Sequence, residues 1–214
     1  MARAELIREL HDSRLVAVLR SKTAVEAIVT AKSAASAGVK FVEVTLSVPG
    51  ALEVIAELAR EKTFHVGAGT VLSKKQAEAA ITAGAQFVVS PSSELELIPI
   101  CHGAEVAYYP GAATPTEICA AARAGADLVK LFPADCLGGP NFIRQMAGPF
   151  PEVRFMVSGG VSLTNVKEYV AAGVTGICLG SAFLAKALAE QGERGLVNEV
   201  KEFVKFIARA KSQN

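Results

Sequence analysis

No charge of either sign predominates in these 214 residues. Lysine and arginine number 22 against 21 aspartate and glutamate, a formal net charge of +1, and the two signs are interspersed. That leaves no basic footprint for nucleic acid and none for an anionic membrane surface. No apolar run approaches the roughly 20 residues needed to span a bilayer. The first residues, "MARAELIRELHD", carry Glu5, Glu9 and Asp12 among their apolar positions, so they read as an amphipathic helix rather than a signal peptide. Cysteines are few and far apart: Cys101, Cys119, Cys136 and Cys178 form no CxxC pair. They read as reduced thiols of a cytosolic protein. His11, His65 and His102 are equally scattered, so no metal-ligand spacing is present and neither a metal nor another cofactor is expected. Linkers and low-complexity tracts are missing as well, which predicts one domain over residues 1–214.

What is present is an alternation. Hydrophobic residues make up 51% of the chain, enough for a sizeable core. Eight β-rich runs, "LVAVLR" (15–20), "FVEVTL" (41–46), "HVGAGTV" (65–71), "FVVSP" (87–91), "VAYYP" (106–110), "LVKLFP" (128–133), "RFMVSG" (154–159) and "GICLGS" (176–181), alternate with helical patterns. Several of these patterns open on Ser or Thr and close on Gly, as helix start and stop signals do. The segment "ERGLVNEVKEFVKFIARAK" is amphipathic and reads as a closing helix. The order predicts a (β/α)8 barrel of the TIM type with an extra N-terminal helix. A doubly wound open sheet is the structural alternative.

Ala-Gly recurs at 37–38, 83–84, 124–125 and 172–173, each time ahead of an even-numbered strand, which fits a barrel of quarter symmetry. Five residues past each glycine lie Glu43, Val89, Lys130 and Cys178. Alternate barrel strands share an interior layer, so this register predicts that Lys130 and Glu43 face each other across the barrel. Lys130 otherwise makes no sense within the apolar run Leu128–Phe132, because an uncompensated buried ammonium is costly. Two readings stand: a structural ion pair with Glu43, or a nucleophile. An unperturbed lysine, with pKa near ~10.4, is protonated and unreactive at neutral pH. Apolar surroundings favour the neutral amine, which attacks carbonyls to form an imine. Glu43 is then the nearest carboxylate for proton transfer.

The predicted ends of strands seven and eight carry "SGGVS" and "GSAF". Loops at these two positions of a barrel commonly hold phosphate through backbone N–H groups. Gly159, Gly160, Gly180 and Ser181 suit that task, although Gly-Gly pairs are also ordinary turns. Arg20 ends the first strand, where its planar fork suits a carboxylate if it is not merely solvated. Thr70 either bonds a substrate oxygen or caps the next helix. Pro110-Gly111 and Phe132-Pro133 end strands five and six and either shape the rim or touch ligand, and Glu117 and Asp135 read as helix-start and surface residues.

Taken together, "VAVLR", "VEVTLSVPGA", "VGAGTVLS", "YYPGAATPTE", "LVKLFPAD", "GGPNFIRQMAGPFPEVRFMVSGGVS" and "CLGSAF" resemble the 2-keto-3-deoxy-6-phosphogluconate (KDPG) aldolase family. That family also includes 4-hydroxy-2-oxoglutarate (KHG) aldolase activity and phosphogalactonate aldolases. The resemblance implies a metal-independent class I aldolase, cytoplasmic and homotrimeric, acting on a phosphorylated 2-keto-3-deoxy sugar acid. By matching motif it implies Lys130 as the Schiff-base lysine and Glu43 as acid/base. Thr70 would touch the pyruvyl group, and Gly159, Gly160 and Ser181 would bind phosphate. Some members carry Arg directly after "VTL", where this chain has Ser47; others place it as Arg20 is placed here, so Arg20 is expected on the substrate carboxylate. The usual Thr before Gly-Gly is Ser158, which keeps a hydroxyl and leaves gluconate or galactonate preference open. Rival readings on the same barrel are a phosphosugar isomerase or epimerase and an idle phospho-ligand regulator.

Overall fold

A computed structural model describes residues 2–211. Met1 and residues 212–214, the ends of the span expected for one domain, lie outside the described residues. The chain begins with α1 (Arg3–Ser13) and β1 (Leu15–Leu19), followed by α2 (Ala24–Ser36), β2 (Phe41–Thr45), α3 (Ala51–Leu58) and β3 (His65–Gly69). Next come α4 (Lys74–Thr82), β4 (Phe87–Val89), α5 (Leu97–Gly103), β5 (Ala107–Tyr109) and β6 (Gly111–Ala112). The remainder is α6 (Pro115–Arg123), β7 (Val129–Leu131), α7 (Gly139–Ala147), β8 (Phe155–Val157), α8 (Val166–Ala171), β9 (Gly176–Leu179) and α9 (Ser181–Lys211). α9 is two helices joined at Gly192, whose φ of 67° is not helical.

All strand pairs are parallel, in the order β5-β4-β3-β2-β1-β9-β8-β7-β6. β5 and β6 are one stave interrupted at Pro110, so eight staves form a (β/α)8-type barrel. The interruption has a local cause. Proline has no N–H to give, but its carbonyl still accepts the Lys130 N–H at 2.8 Å, which joins this stave to β7. Most strands are shorter than their apolar runs: "LVKLFP" pairs regularly only over Val129–Leu131, and the chain turns at Phe132-Pro133.

The repeated Ala-Gly is a helix stop. Ala37, Ala83, Ala124 and Ala172 are C-caps, and Gly38, Gly84, Gly125 and Gly173 follow with φ of 106°, 100°, 88° and 83°. Only glycine enters that region without steric cost. The next N–H then reaches back to a helix carbonyl, as Val39 does to Ala34 (3.1 Å) and Ala126 to Ala121 (3.0 Å). Four equivalent stops set the next strand in equivalent register, which is why counting from each glycine finds inward residues.

Two apolar layers follow from strand alternation. Val42 and Val44 of β2, and Val129 and Leu131 of β7, pack outward against the helices. Inside the barrel lie Val16, Val18, Phe41, Phe87, Val89, Tyr109, Met156 and Cys178. Leu6, Ile7 and Leu10 of α1 join this inner cluster and plug the N-terminal end of the barrel. Their spacing puts them on one helical face, and burying each contributes roughly 1.5–3 kcal/mol.

Candidate active site

The alternation that sends Val129 and Leu131 outward sends Lys130 inward, and the same rule on β2 points Glu43 inward between Val42 and Val44. Counted either way round the barrel, β2 and β7 are opposite staves. Lys130 Nζ and Glu43 Oε1 meet across the interior at 3.9 Å, with the side chains 7% and 1% exposed. That distance is too long for a hydrogen bond. Glu43 Oε2 has no hydrogen-bond partner among the described residues. An ion pair serving stability would have its remaining lone pairs satisfied, because desolvation otherwise cancels the attraction. Lys130 also lies 5.3 Å from the Phe132 ring centroid, on the side toward the open end.

Room for the Glu43 carboxylate comes from β3. A Cβ at Gly69 would collide with Glu43 Oε1, so this glycine is the space the carboxylate occupies. Cys178 completes the interior layer with Glu43, Lys130 and Val89. Burial pushes its thiol up to about 12, and Glu43 acts in the same direction against smaller opposing effects of Lys130 and Ser158. It stays protonated at neutral pH and is a poor nucleophile there.

Arg20 follows β1 and reaches over the strand ends. Its Nη1 donates to Ser47 Oγ at 3.3 Å and its Nη2 to Thr70 Oγ1 at 3.2 Å. Thr70 has φ of 59°, a region that β-branched residues rarely enter. Such a conformation costs on the order of 1–3 kcal/mol and clusters at functional sites. It does not cap α4; Ser73 does, accepting from the Gln76 N–H.

The segments leaving β8 and β9 begin as neighbours, since Met156 pairs with Gly176 and Val157 with Ile177. Ser158 is buried in the first, and Gly159 and Gly160 follow with φ of 105° and 66°. Gly180 precedes Ser181, the first residue of α9. Gly180 has neither positive φ nor crowding, and a Cβ there would meet nothing within 4 Å. Its bare backbone therefore has no packing reason and is open to close approach. Sequence reasoning missed Gly69 and the part played by Ser47; neither carries a local signal, because each is defined by a neighbour on another strand. Asp135 is exposed, as expected, yet it also lies against Gly160, whose Cβ would clash with it. Glu117 belongs to a capping box with Thr114 at the start of α6.

An inward amine opposite a carboxylate, with a guanidinium and a glycine-lined edge around the same barrel mouth, is a layout for imine chemistry on an anionic ketone. A family model described as "Aldolase: KDPG and KHG aldolase" matches residues 6–200. The chain belongs to the KDPG and KHG aldolase family. The 2-dehydro-3-deoxy-phosphogluconate aldolase of Pseudomonas aeruginosa is 36% identical to it over 184 residues, covering 85% of this chain and 83% of the relative. A solved structure described as native KDPGal aligns with a TM-score of 0.83 at 30% identity, covering 92% of this aldolase and 96% of its own chain. A KDPG aldolase from Legionella pneumophila, with pyruvate captured as a covalent carbinolamine intermediate, gives 0.82 at 27% identity over 90% and 95% of the two chains. Among the described residues of the aldolase, no group of three or more His, Cys, Asp or Glu is placed to hold a metal ion. No described helix is long and apolar enough to cross a membrane.

Proposed function

We propose that this carbon–carbon lyase cleaves KDPG to pyruvate and glyceraldehyde 3-phosphate through an imine on Lys130. The carrying observation is the amine–carboxylate pair Lys130 and Glu43, the one such pair buried in the barrel among the described residues, held 3.9 Å apart in a largely apolar interior. Lys130 attacks the ketone carbon, and loss of water gives a protonated imine. Glu43 takes the proton from the C4 hydroxyl. The C3–C4 bond breaks, its electron pair flows into the imine to form an enamine, and the aldehyde leaves. Glu43 then returns its proton to C3, and water hydrolyses the imine to free pyruvate. The unpartnered Oε2 of Glu43 is free to accept the first proton and, once protonated, to donate it in the second transfer.

Arg20 and Thr70 hold the carboxylate and pyruvyl end. Gly159, Gly160, Gly180 and Ser181 hold the phosphate, with the Ser158 hydroxyl on the substrate beside them, so the two ends fix the reacting centre between them. The same site accommodates KHG, which would yield pyruvate and glyoxylate. The galactonate epimer is the second reading, favoured by the KDPGal likeness and differing only in one hydroxyl. An isomerase or epimerase would leave Lys130 without a covalent role. One barrel domain over the 214 residues, acting in the cytoplasm as a homotrimer, is the assembly in keeping with the resemblance.

Borohydride reduction with pyruvate, followed by peptide mass spectrometry, tests the reading. The expected result is a stable adduct on Lys130 that is lost in Lys130→Ala along with turnover. Absence of an adduct on folded protein, or near-normal turnover of Lys130→Ala, would overturn it and return Lys130 to a structural ion pair.

A further inference from the structure

The guanidinium of Arg20 is held by hydroxyls alone. None of the ion pairs among the described residues includes Arg20. Its two acceptors, Ser47 Oγ and Thr70 Oγ1, are neutral, so its positive charge is directed without being neutralised. The hydrogen bonds behind Ser47 run in one direction. Thr45, at the end of β2 and fully buried, donates its hydroxyl proton to the Leu19 carbonyl at 2.9 Å. Having spent that proton, Thr45 Oγ1 is left to accept from Ser47 at 2.8 Å. Ser47 therefore spends its own proton on Thr45 and presents lone pairs to Arg20. Leu19 is the last residue of β1 and directly precedes Arg20, so the relay starts and finishes at the end of β1 and ties the arginine to the strand it follows.

We propose that Ser47, fixed by Thr45, is a positioning residue that aims Arg20 at the carboxylate next to the reacting ketone. It thereby sets the preference of the site for carboxylate-bearing ketones over neutral ones. An acidic residue at position 47 would hold Arg20 more strongly but would consume the charge. Alanine would leave the long side chain free to turn to solvent. The inference rests on the imine reading of Lys130, and it concerns how the ketone is selected rather than how it reacts.

The test uses the full-length chain as wild type, Ser47→Ala and Ser47→Thr. Ser47 is exposed, so neither change opens a core cavity. Two carbonyl probes are trapped with borohydride over a range of concentrations: pyruvate, and hydroxyacetone, which lacks the carboxylate. For Ser47→Ala the half-saturating pyruvate concentration and the KM for KDPG should each rise roughly tenfold, the scale of one hydrogen bond to a charged group. Its kcat should stay within about twofold and its hydroxyacetone trapping should be unchanged, since uniform binding alone is lost. Ser47→Thr, which keeps the hydroxyl, should restore wild-type pyruvate binding. Unchanged pyruvate saturation in Ser47→Ala, or an equal loss with both probes, would overturn the positioning role. Failure of wild type to trap pyruvate at all would instead bring down the imine reading, and this inference with it.

Discussion

The two ends of the barrel are built from the same kinds of side chain and treat them in opposite ways. At the closed end α1 drives Leu6, Ile7 and Leu10 into the interior, and charged groups around it meet at short range. Arg3 Nε lies 3.0 Å from Asp127, His102 Nε2 lies 2.9 Å from the other oxygen of Asp127, and His65 Nε2 lies 2.9 Å from Glu9. The Tyr108 N–H also donates to Asp127 at 3.0 Å, and Arg14 donates to the Val174 carbonyl. At the open end the central pair stands 3.9 Å apart and an arginine has no counter-charge among the described residues; unpartnered buried atoms and positive φ occur at both ends, at Glu43 Oε2 and Thr70 here and at Arg14 there, so the contrast lies in the charges. Short, shared contacts contribute stability. Long and incomplete ones give it up in exchange for groups that can still bind and react.

If that division is right, substitutions at each end should move different observables. Glu43→Gln should have the largest effect, lowering turnover by roughly 10²–10⁴-fold, as removal of a general acid/base does. Pyruvate should still be trapped on Lys130, and thermal unfolding should change little. A collapse of both trapping and stability would mean that the pair is structural and the two ends are alike.

Leu10→Ala addresses the closed end. Leu10 is fully buried, so its truncation should cost about 2–5 kcal/mol in denaturant unfolding. The kcat of the remaining folded enzyme should be unaltered. A change in kcat without a change in unfolding would erase the distinction between the ends.

Gly69→Ala sharpens the comparison because it removes no reactive group and only moves one. The added methyl must displace Glu43. Turnover should fall on the order of 10²-fold, the scale of a misplacement of about 1 Å. Wild-type turnover would show that the carboxylate has slack.

The smallest effect belongs to a charge that sits among the strand-to-helix loops but has a structural job. Thr114 accepts from the Glu117 N–H, while Glu117 Oε2 accepts from the N–H groups of Ala113 and Thr114. The Ala113 N–H, the Thr114 hydroxyl and the Thr114 N–H hold this carboxyl below its usual range against weak desolvation. A depressed carboxyl pKa means stability that is present above the unfolded value of about 4.5 and is lost as pH falls through the folded value. Thr114→Ala should cost about 1 kcal/mol at neutral pH. Glu117→Gln should remove part of the acid sensitivity of unfolding, with kcat unchanged. A fall in kcat would place Glu117 in the site.

Much of this was legible in one dimension, and the reasons are local. The eight runs read as strands became eight staves because side-chain alternation and β-branched content are properties of a short window. The four Ala-Gly stops marked register because positive φ demands glycine wherever it occurs. Lys130 stood out because a charge inside an apolar run is costly in any fold. The break at Pro110 was not foreseen, since "VAYYP" reads as one run whether or not its stave continues beyond the proline.

The sequence by itself determined the order of elements, which faces turn inward, and that Lys130 and Glu43 lie on opposite inner walls. Tertiary structure alone decided that the pair stops at 3.9 Å, that Gly69 yields space to a carboxylate on the neighbouring strand, and that Arg20 gives one donor each to Ser47 and Thr70. Periodicity is encoded within a few residues. Barrel closure joins residues dozens of positions apart, and the tilt and stagger of the staves set which side chains meet.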